Sequence, residues 1–351
     1  MKPALITPWY YKIRGNSITV RRIESGLKSE GLSVKVFSQE RYKGTSHLGK
    51  ALGKWGPQIL HAFHAYRTGG IVVDIAARLR VPAVINITGT DGNHDLFDPE
   101  RRGTVIKALK MANGIVVFHE FMRDRISKEI PEVAEKVWVI RQAVKCEERP
   151  YNFRERLGFN ERDFVFFLPA GIRKVKNLTF CLKPLTHLKK RYPFIKVVFA
   201  GPIIEEKEGE RLLKSIKGLD WAYYIGEVSH ERVCSILRSV DVLVNSSVSE
   251  GGMSNSILEA MSRGVAVLAA DIEGNRSILV DGVDGLLFCS EGEFIEKAEA
   301  IINDEGYRRK LGEKAREKIE REFSLKKEIA DYMRLYQEIL TTRAISAKGG
   351  R

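Results

Sequence analysis

The chain has 351 residues, 44% of them hydrophobic and 29% charged, enough for two domains with full cores. No apolar run approaches the roughly 18 residues that cross a bilayer. MKPALITPWYYK also lacks the apolar stretch of a signal peptide, so a cytoplasmic protein is expected. The net charge of +13 is uneven: residues 1–145 hold 24 Lys/Arg against 13 Asp/Glu, and residues 146–351 hold 34 against 32. A basic first half favours phosphorylated ligands, acidic acceptors or peripheral contact with an anionic membrane face, weighed against a solvated surface with no dedicated partner. Nucleic acid is not expected, because no aromatic-rich basic strand or recognition helix is present. Cys146, Cys181, Cys234 and Cys289 are far apart without CxxC spacing, so neither a zinc site nor a disulfide is expected.

Short β-branched runs alternate with helical patterns throughout, which argues for α/β architecture with parallel sheets. In chain order the predicted strands of a first domain are Ala4–Thr7, Ser33–Phe37, Gln58–Ala62, Ala83–Ile87, Gly114–Phe118 and Val137–Ile140. Between the first two, Ile18, Ile23 and Leu27 suit an amphipathic helix ended near Gly31. A second series follows: Phe164–Leu168, Lys196–Ala200, Trp221–Ile225, Asp241–Asn245 and Val265–Ala269. Glu293–Asn303, Tyr307–Arg321 and Leu325–Leu340 read as helices. The expected domains are therefore 1–147 and 148–324, with a helix over 325–341 packing back on the first and a disordered tail at 342–351. Open parallel sheets bind ligands beyond the carboxyl ends of their strands, so two such domains would face one another across an interdomain cleft that holds the chemistry.

Two carboxylates frame one strand-to-helix junction, NSSVSEGGMSNSILEAM, from Asn245 to Met261. Glu250 follows the strand, Gly251-Gly252 let the backbone approach a ligand, and Met253, Ser254 and Asn255 present N–H groups at a helix start suited to a diphosphate. Glu250 and Glu259 suit sugar hydroxyls on either side of it, since carboxylates accept paired hydrogen bonds. Alone, a capped helix with a surface Glu at each end explains the pattern about as well. The loop Pro169–Asn177 adds Gly171, Arg173 and Lys176, cations able to neutralise a leaving diphosphate. Gly15-Asn16 makes another glycine turn at a helix start.

These segments, with Gly226-Glu227-Val228, Glu273-Gly274-Asn275 and LVDGVDGLLF (Leu279–Phe288), resemble the retaining GT-B glycosyltransferases of family 4. The resemblance implies a GT-B fold of two Rossmann-like domains and transfer from a nucleotide-sugar donor, UDP favoured, with no metal or other cofactor. It implies that Glu250 lies at the transferred sugar, Glu259 at the ribose, Arg173 and Lys176 at the phosphates, and Gly15 in the N-terminal glycine loop. Three departures stand out. Eight residues separate the glutamates where the family has seven, so one glycine is inserted, with a bulge at Gly251-Gly252 to absorb it. Arg173 and Lys176 are closer together than the usual pair. Thr88 stands where many members carry a sugar-facing His, leaving that duty to Thr88, Asp91, His94 or Asp95. GNSITVRR, LHAFHAYRTG, TGTDGNHDL, VIRQAV and AGIRKVKN also resemble selenosugar synthases and the glycosyltransferase 1 domain-containing proteins, which implies an anionic acceptor such as selenophosphate as an alternative.

On the acceptor side, Asn16, His64, Arg67, Thr88, Asp91 and His94 are candidates, with Arg67 the best placed for an acceptor phosphate. His61 alternates with apolar neighbours and reads equally well as a structural residue. His119 and Glu120 are lesser candidates for the cleft, and His47, His187 and His230 read as solvent residues. GTDGNHD (Gly89–Asp95) is not an Asp-x-Asp metal signature, and no other spacing suggests a metal. The acceptor class, whether small molecule, glycan or lipid-linked, stays open. Two other function classes compete: a nucleotide-sugar epimerase or hydrolase, which would want a close pair of carboxylates, and a non-catalytic GT-B binding module.

Overall fold

The computed structural model of the chain describes residues 1–12, 15–42, 44–146, 149–250 and 252–349, the last four by their backbone alone. The chain divides into two compact units, one made of Met1–Ala143 with Ser324–Arg351 and the other of Val144–Phe323.

The first unit is a six-stranded parallel sheet of β1 (Pro3–Thr7), β2 (Lys35–Ser38), β3 (Ile59–Phe63), β4 (Ala83–Asn86), β5 (Gly114–Val117) and β6 (Val137–Val139) in the order β2-β1-β3-β4-β5-β6. Its central strands are buried on both faces, which is why they read as unbroken apolar runs. In β1 the side chains alternate: Ala4 and Ile6 join one apolar cluster with the helices Thr45–Trp55, Gly70–Leu79 and Arg102–Met111, while Leu5 joins the other. That second face is covered by the helix Gly15–Ser29 and by the last helix of the chain, Leu325–Gly349.

The last helix docks through polar groups as well as apolar ones. Arg22 donates from Nε and Nη2 to both carboxylate oxygens of Glu328 at 2.8 and 2.9 Å, and both side chains are buried. The Tyr332 hydroxyl donates to Asn86 Oδ1 at 2.8 Å, and Tyr336 Oη lies 2.6 Å from His61 Nδ1. The same helix corrects the expected tail: it continues to Gly349, since Ala344 and Ala347 favour helix and nothing breaks it before the terminal glycines. The buried stripe of Gly15–Ser29 is also wider than expected. It includes Ser17, Thr19, Arg22 and Gly26, with Ile18 only half-buried, because two elements rather than one cover it.

The second unit is another six-stranded parallel sheet: β7 (Phe164–Pro169), β8 (Ile195–Ala200), β9 (Ala222–Tyr224), β10 (Val242–Asn245), β11 (Ala266–Ala270) and β12 (Leu286–Phe288), ordered β12-β11-β10-β7-β8-β9. The three-residue edge strand β12 was not expected as a strand. In both sheets the direction of winding reverses beside the first strand, between β1 and β3 and between β7 and β10, and such a switch point opens a crevice at the strands' carboxyl ends.

The cysteine expectation is overturned as well. Cys146 and Cys234 form a disulfide with their Cα atoms 5.7 Å apart, tying the first stretch of the second unit to the helix His230–Leu237. The two cysteines are 88 positions apart with β7, β8 and β9 between them, so sequence spacing carried no sign of the pairing. Cys181 is buried, and burial pushes its thiol up to about 12, whereas Cys289 is exposed. Among the described residues no helix is long and apolar enough to cross a membrane.

Candidate active site

In the second unit, the chain leaves β7 through Ala170-Gly171 and turns at Arg173 into a short 3-10 turn, Lys174–Lys176, closed by Asn177 in the left-handed region at φ 45°. At the neighbouring switch-point strand, β10 runs into Ser246-Ser247. The two loops are knitted together: Ser246 Oγ donates to the Lys176 carbonyl at 3.1 Å, and Val248 N donates to the Val175 carbonyl at 3.0 Å. This knitting brings Lys176 Nζ into an ion pair with Glu250 Oε1, and Ser247 Oγ (2.7 Å) and Asn245 Nδ2 (3.3 Å) donate to the same oxygen. Burial opposes ionisation of Glu250. The ammonium of Lys176 and the hydrogen bonds from Lys176, Ser247 and Asn245 outweigh it and hold the carboxyl below its ordinary range. Glu250 is therefore ionised at neutral pH, and the stability this contributes is lost as pH falls through that lowered value.

Arg173 differs from Lys176. Its side chain has no hydrogen-bond or ion-pair partner among the described residues, and its Nε is buried without one. A guanidinium left uncompensated at a switch point has the charge and the free donors to receive an anion. Gly171 is half-buried, and a Cβ there would lie 2.4 Å from Ile204 Cδ1.

After Glu250 the chain passes Gly252 and enters the helix Asn255–Ser262; Gly251 lies outside the described residues, and with it the expected bulge. Met253 is buried in the core, so it offers backbone rather than side chain. Ser254 is buried too, accepting from Asn245 Nδ2 at 3.1 Å and lying 3.0 Å from Ser256 Oγ. Asn255 opens the helix. Glu259, one turn further on, is buried, and its Oε1 lies 2.8 Å from His230 Nε2.

Gly274 packs directly against this loop: a Cβ there would sit 2.6 Å from Glu250 Cβ and 2.8 Å from its carbonyl oxygen. Gly274→Ala is therefore expected to displace Glu250, at about 1–3 kcal/mol of stability by overpacking. The displacement should weaken the nucleoside-diphosphate binding that the sequence resemblance implies about tenfold while far-UV circular dichroism stays unchanged. Unaltered affinity in a calorimetric titration would show that the loop absorbs the methyl group.

In the first unit, the candidates gather at the carboxyl ends of β1, β3 and β4. Asn16, in the first turn of the helix opened by the exposed Gly15, donates to Thr88 Oγ1 at 3.2 Å. Asp91 is fully buried and accepts from three backbone N–H groups: Ala65 (2.7 Å), Thr88 (3.0 Å) and Gly89 (2.7 Å). Both oxygens of Asp91 accept from the backbone, so its carboxylate shapes the loop. His64 is buried and stands at φ 91°, a conformation that costs about 1–3 kcal/mol outside glycine. Its Nδ1 accepts from Arg67 N at 3.3 Å to start a π-helical turn, Ala65–Gly69, and its Nε2 lies 3.1 Å from Thr90 Oγ1. Asp95 is buried and held by Arg101 at 2.9 Å, while His94 is exposed.

His61 takes the structural half of its open reading: it is fully buried and stacked on Phe63, and burial depresses its pKa to about 3, so it stays neutral. His119 caps the helix Glu120–Glu129 by accepting from Met122 N.

Two features were not foreseen. His230 is the partner of Glu259 and not a solvent residue; the signal available was its place just past β9, at the start of a helix. The second is WYYK, residues 9–12, shortly after β1. Arg67, Arg21 and Arg41 lie over the rings of Trp9, Tyr10 and Tyr11 at 4.7, 5.1 and 5.2 Å. Glu40 fixes this loop by accepting from the N–H groups of Tyr10 and Tyr11 at 2.7 and 2.9 Å. Burial works against its ionisation, and those N–H groups, with Ser38 and Lys12, outweigh burial and keep its carboxyl below the ordinary range.

Residues 151–318 match the family model described as Glycosyl transferases group 1. Glycosyltransferase 1 domain-containing protein 1 of Xenopus tropicalis is 24% identical over 85% of this chain and 86% of its own length. The chain is a glycosyltransferase of the GT-B fold. Sucrose-phosphate synthase from Thermosynechococcus elongatus superposes with a TM-score of 0.82 at 14% identity, over 97% of this chain and all of that one. Anabaena Alr3699/HepE, solved with UDP and glucose, does so at 0.77 and 16%, over 98% of this chain and all of that one. The matched segment of the glycosyltransferase holds Arg173, Lys176, Glu250, Glu259 and His230.

Proposed function

We propose that the chain is a family 4 enzyme that transfers a sugar, with retention of configuration, from a nucleoside-diphosphate sugar, UDP favoured, without a metal or other cofactor. The observation that carries this reading is the juxtaposition at the β7/β10 switch point of an uncompensated Arg173 with the charged Lys176–Glu250 pair. Arg173, Lys176 and the N–H groups opening Asn255–Ser262 hold the leaving diphosphate, Glu250 faces the sugar, and Glu259 accepts from the ribose hydroxyls. The diphosphate itself takes the acceptor's proton in a front-face displacement. HepE, crystallised with UDP-glucose, supports the donor class.

The three arginines on Trp9, Tyr10 and Tyr11 favour an anionic acceptor over a neutral glycan, the second reading. A cytoplasmic enzyme with peripheral contact to anionic lipid fits the same charge.

The test is a thermal-shift panel of UDP, GDP, ADP and CMP in EDTA and again with Mg²⁺. A nucleotide at about 100 times its Kd stabilises by about 2.7 kcal/mol, several degrees in Tm. One diphosphate should raise Tm in EDTA, and Glu259→Ala should abolish the shift. A shift that needs Mg²⁺ would overturn metal independence, and no shift with any nucleotide would favour a binding module.

A further inference from the structure

Glu259 is the carboxylate assigned to the ribose, and what holds it is a histidine from a different segment. His230 opens the helix His230–Leu237, which begins six residues past the end of β9, and its Nε2 lies 2.8 Å from Glu259 Oε1. The two side chains are 24% and 7% exposed, so the contact is sheltered without being sealed. With its Nε2–H tautomer the imidazole donates to this oxygen. Glu259 Oε2 has no partner among the described residues. One oxygen is thus fixed by the protein and the other is presented.

The helix that brings the imidazole is itself anchored. One turn beyond His230, Cys234 is joined to Cys146, and Ser235 Oγ donates to the Arg149 carbonyl at 2.6 Å. A donor delivered from so fixed an element holds a carboxylate in one rotamer, and a preorganised acceptor loses less freedom when a ligand binds.

We infer that His230 is a positioning residue which orients Glu259 toward the two vicinal ribose hydroxyls and so makes the donor site select ribonucleotides over deoxyribonucleotides. The inference rests on the ribose assignment of Glu259. His230 makes no contact with the sugar that is transferred; it acts through the carboxylate, and its effect therefore falls on donor affinity and KM and leaves kcat at saturating donor unchanged.

The experiment titrates UDP and 2′,3′-dideoxy-UDP into the parent chain and into Glu259→Gln, His230→Ala and His230→Gln. His230→Ala should weaken UDP about tenfold and the dideoxy nucleotide less than about twofold, collapsing the discrimination between them. His230→Gln, whose amide N–H reaches toward the same oxygen, should bring UDP back to within about threefold of the parent. Equal weakening of both nucleotides by His230→Ala would make His230 a packing residue and overturn the inference, as would no change in either. If Glu259→Gln leaves UDP affinity unchanged, the ribose assignment itself fails and the inference falls with it. If Glu259→Gln weakens UDP and His230→Ala does not, the assignment stands and only the role of His230 is lost.

Discussion

Arg22→Met is expected to destabilise the first unit by about 3–5 kcal/mol, the largest effect on folding of any single replacement considered. The guanidinium is paired through two nitrogens with both oxygens of Glu328, and neither side chain is more than 4% exposed. Removing the cation leaves a carboxylate in an apolar setting among Ile23, Leu27, Ile329 and Tyr332. The measurement is urea denaturation of the whole chain, in which the first unit's transition should move to lower denaturant. The companion is Arg22→Met with Glu328→Leu. Replacing both charges by apolar groups of similar volume should return most of the lost stability, because desolvating two ions offsets much of their attraction. A single-variant effect below about 0.5 kcal/mol would mean that water reaches the pair.

Arg173→Ala is expected to lower kcat by about 10²–10³, the largest effect on chemistry, because a preorganised cation is worth most where negative charge develops. Lys176 is a weaker source of that charge, since its ammonium is already matched by Glu250 in the free protein. Lys176→Ala should act in a second way, through its partner: without the ammonium, burial is opposed less strongly, so the Glu250 carboxyl titrates higher. The acid limb of its pH profile should move toward neutrality, whereas that of Arg173→Ala stays put. Single-turnover kinetics with saturating donor separate the two. A kcat for Arg173→Ala within about threefold of the parent would place the leaving-group charge on other residues.

The strands were legible because parallel strands buried on both faces carry unbroken apolar runs, as in Phe164–Leu168 or Gly114–Val117. The β10–helix junction was legible for a related reason: small polar residues, glycines and a helix start announce themselves locally. What stayed hidden depended on distant parts of the chain. The Cys146–Cys234 bond, the Arg22–Glu328 pair and the His230–Glu259 contact each join residues whose neighbours in sequence look unremarkable, and a polar residue at a helix start looks the same whether it faces water or a carboxylate. Asp91 shows the converse. The family resemblance marked it for substrate, and the sequence gives no hint that its oxygens also accept from the N–H groups of Ala65, Thr88 and Gly89 and so shape the loop.

The first unit is assembled from both ends of the chain, with the second inserted between Ala143 and Ser324. On a ribosome this imposes an order. At roughly 5–20 residues per second, about 10–40 s separate completion of β6 from the appearance of the last helix. Throughout that interval Leu5, Val20, Phe63 and Val84 lack the cover of Tyr332, Leu335 and Tyr336, and Arg22 lacks Glu328. The inserted unit, contiguous in sequence, can be finished while the one that precedes it is still open, so nascent chains cut short before Ser324 expose an apolar sheet face for chaperones to hold.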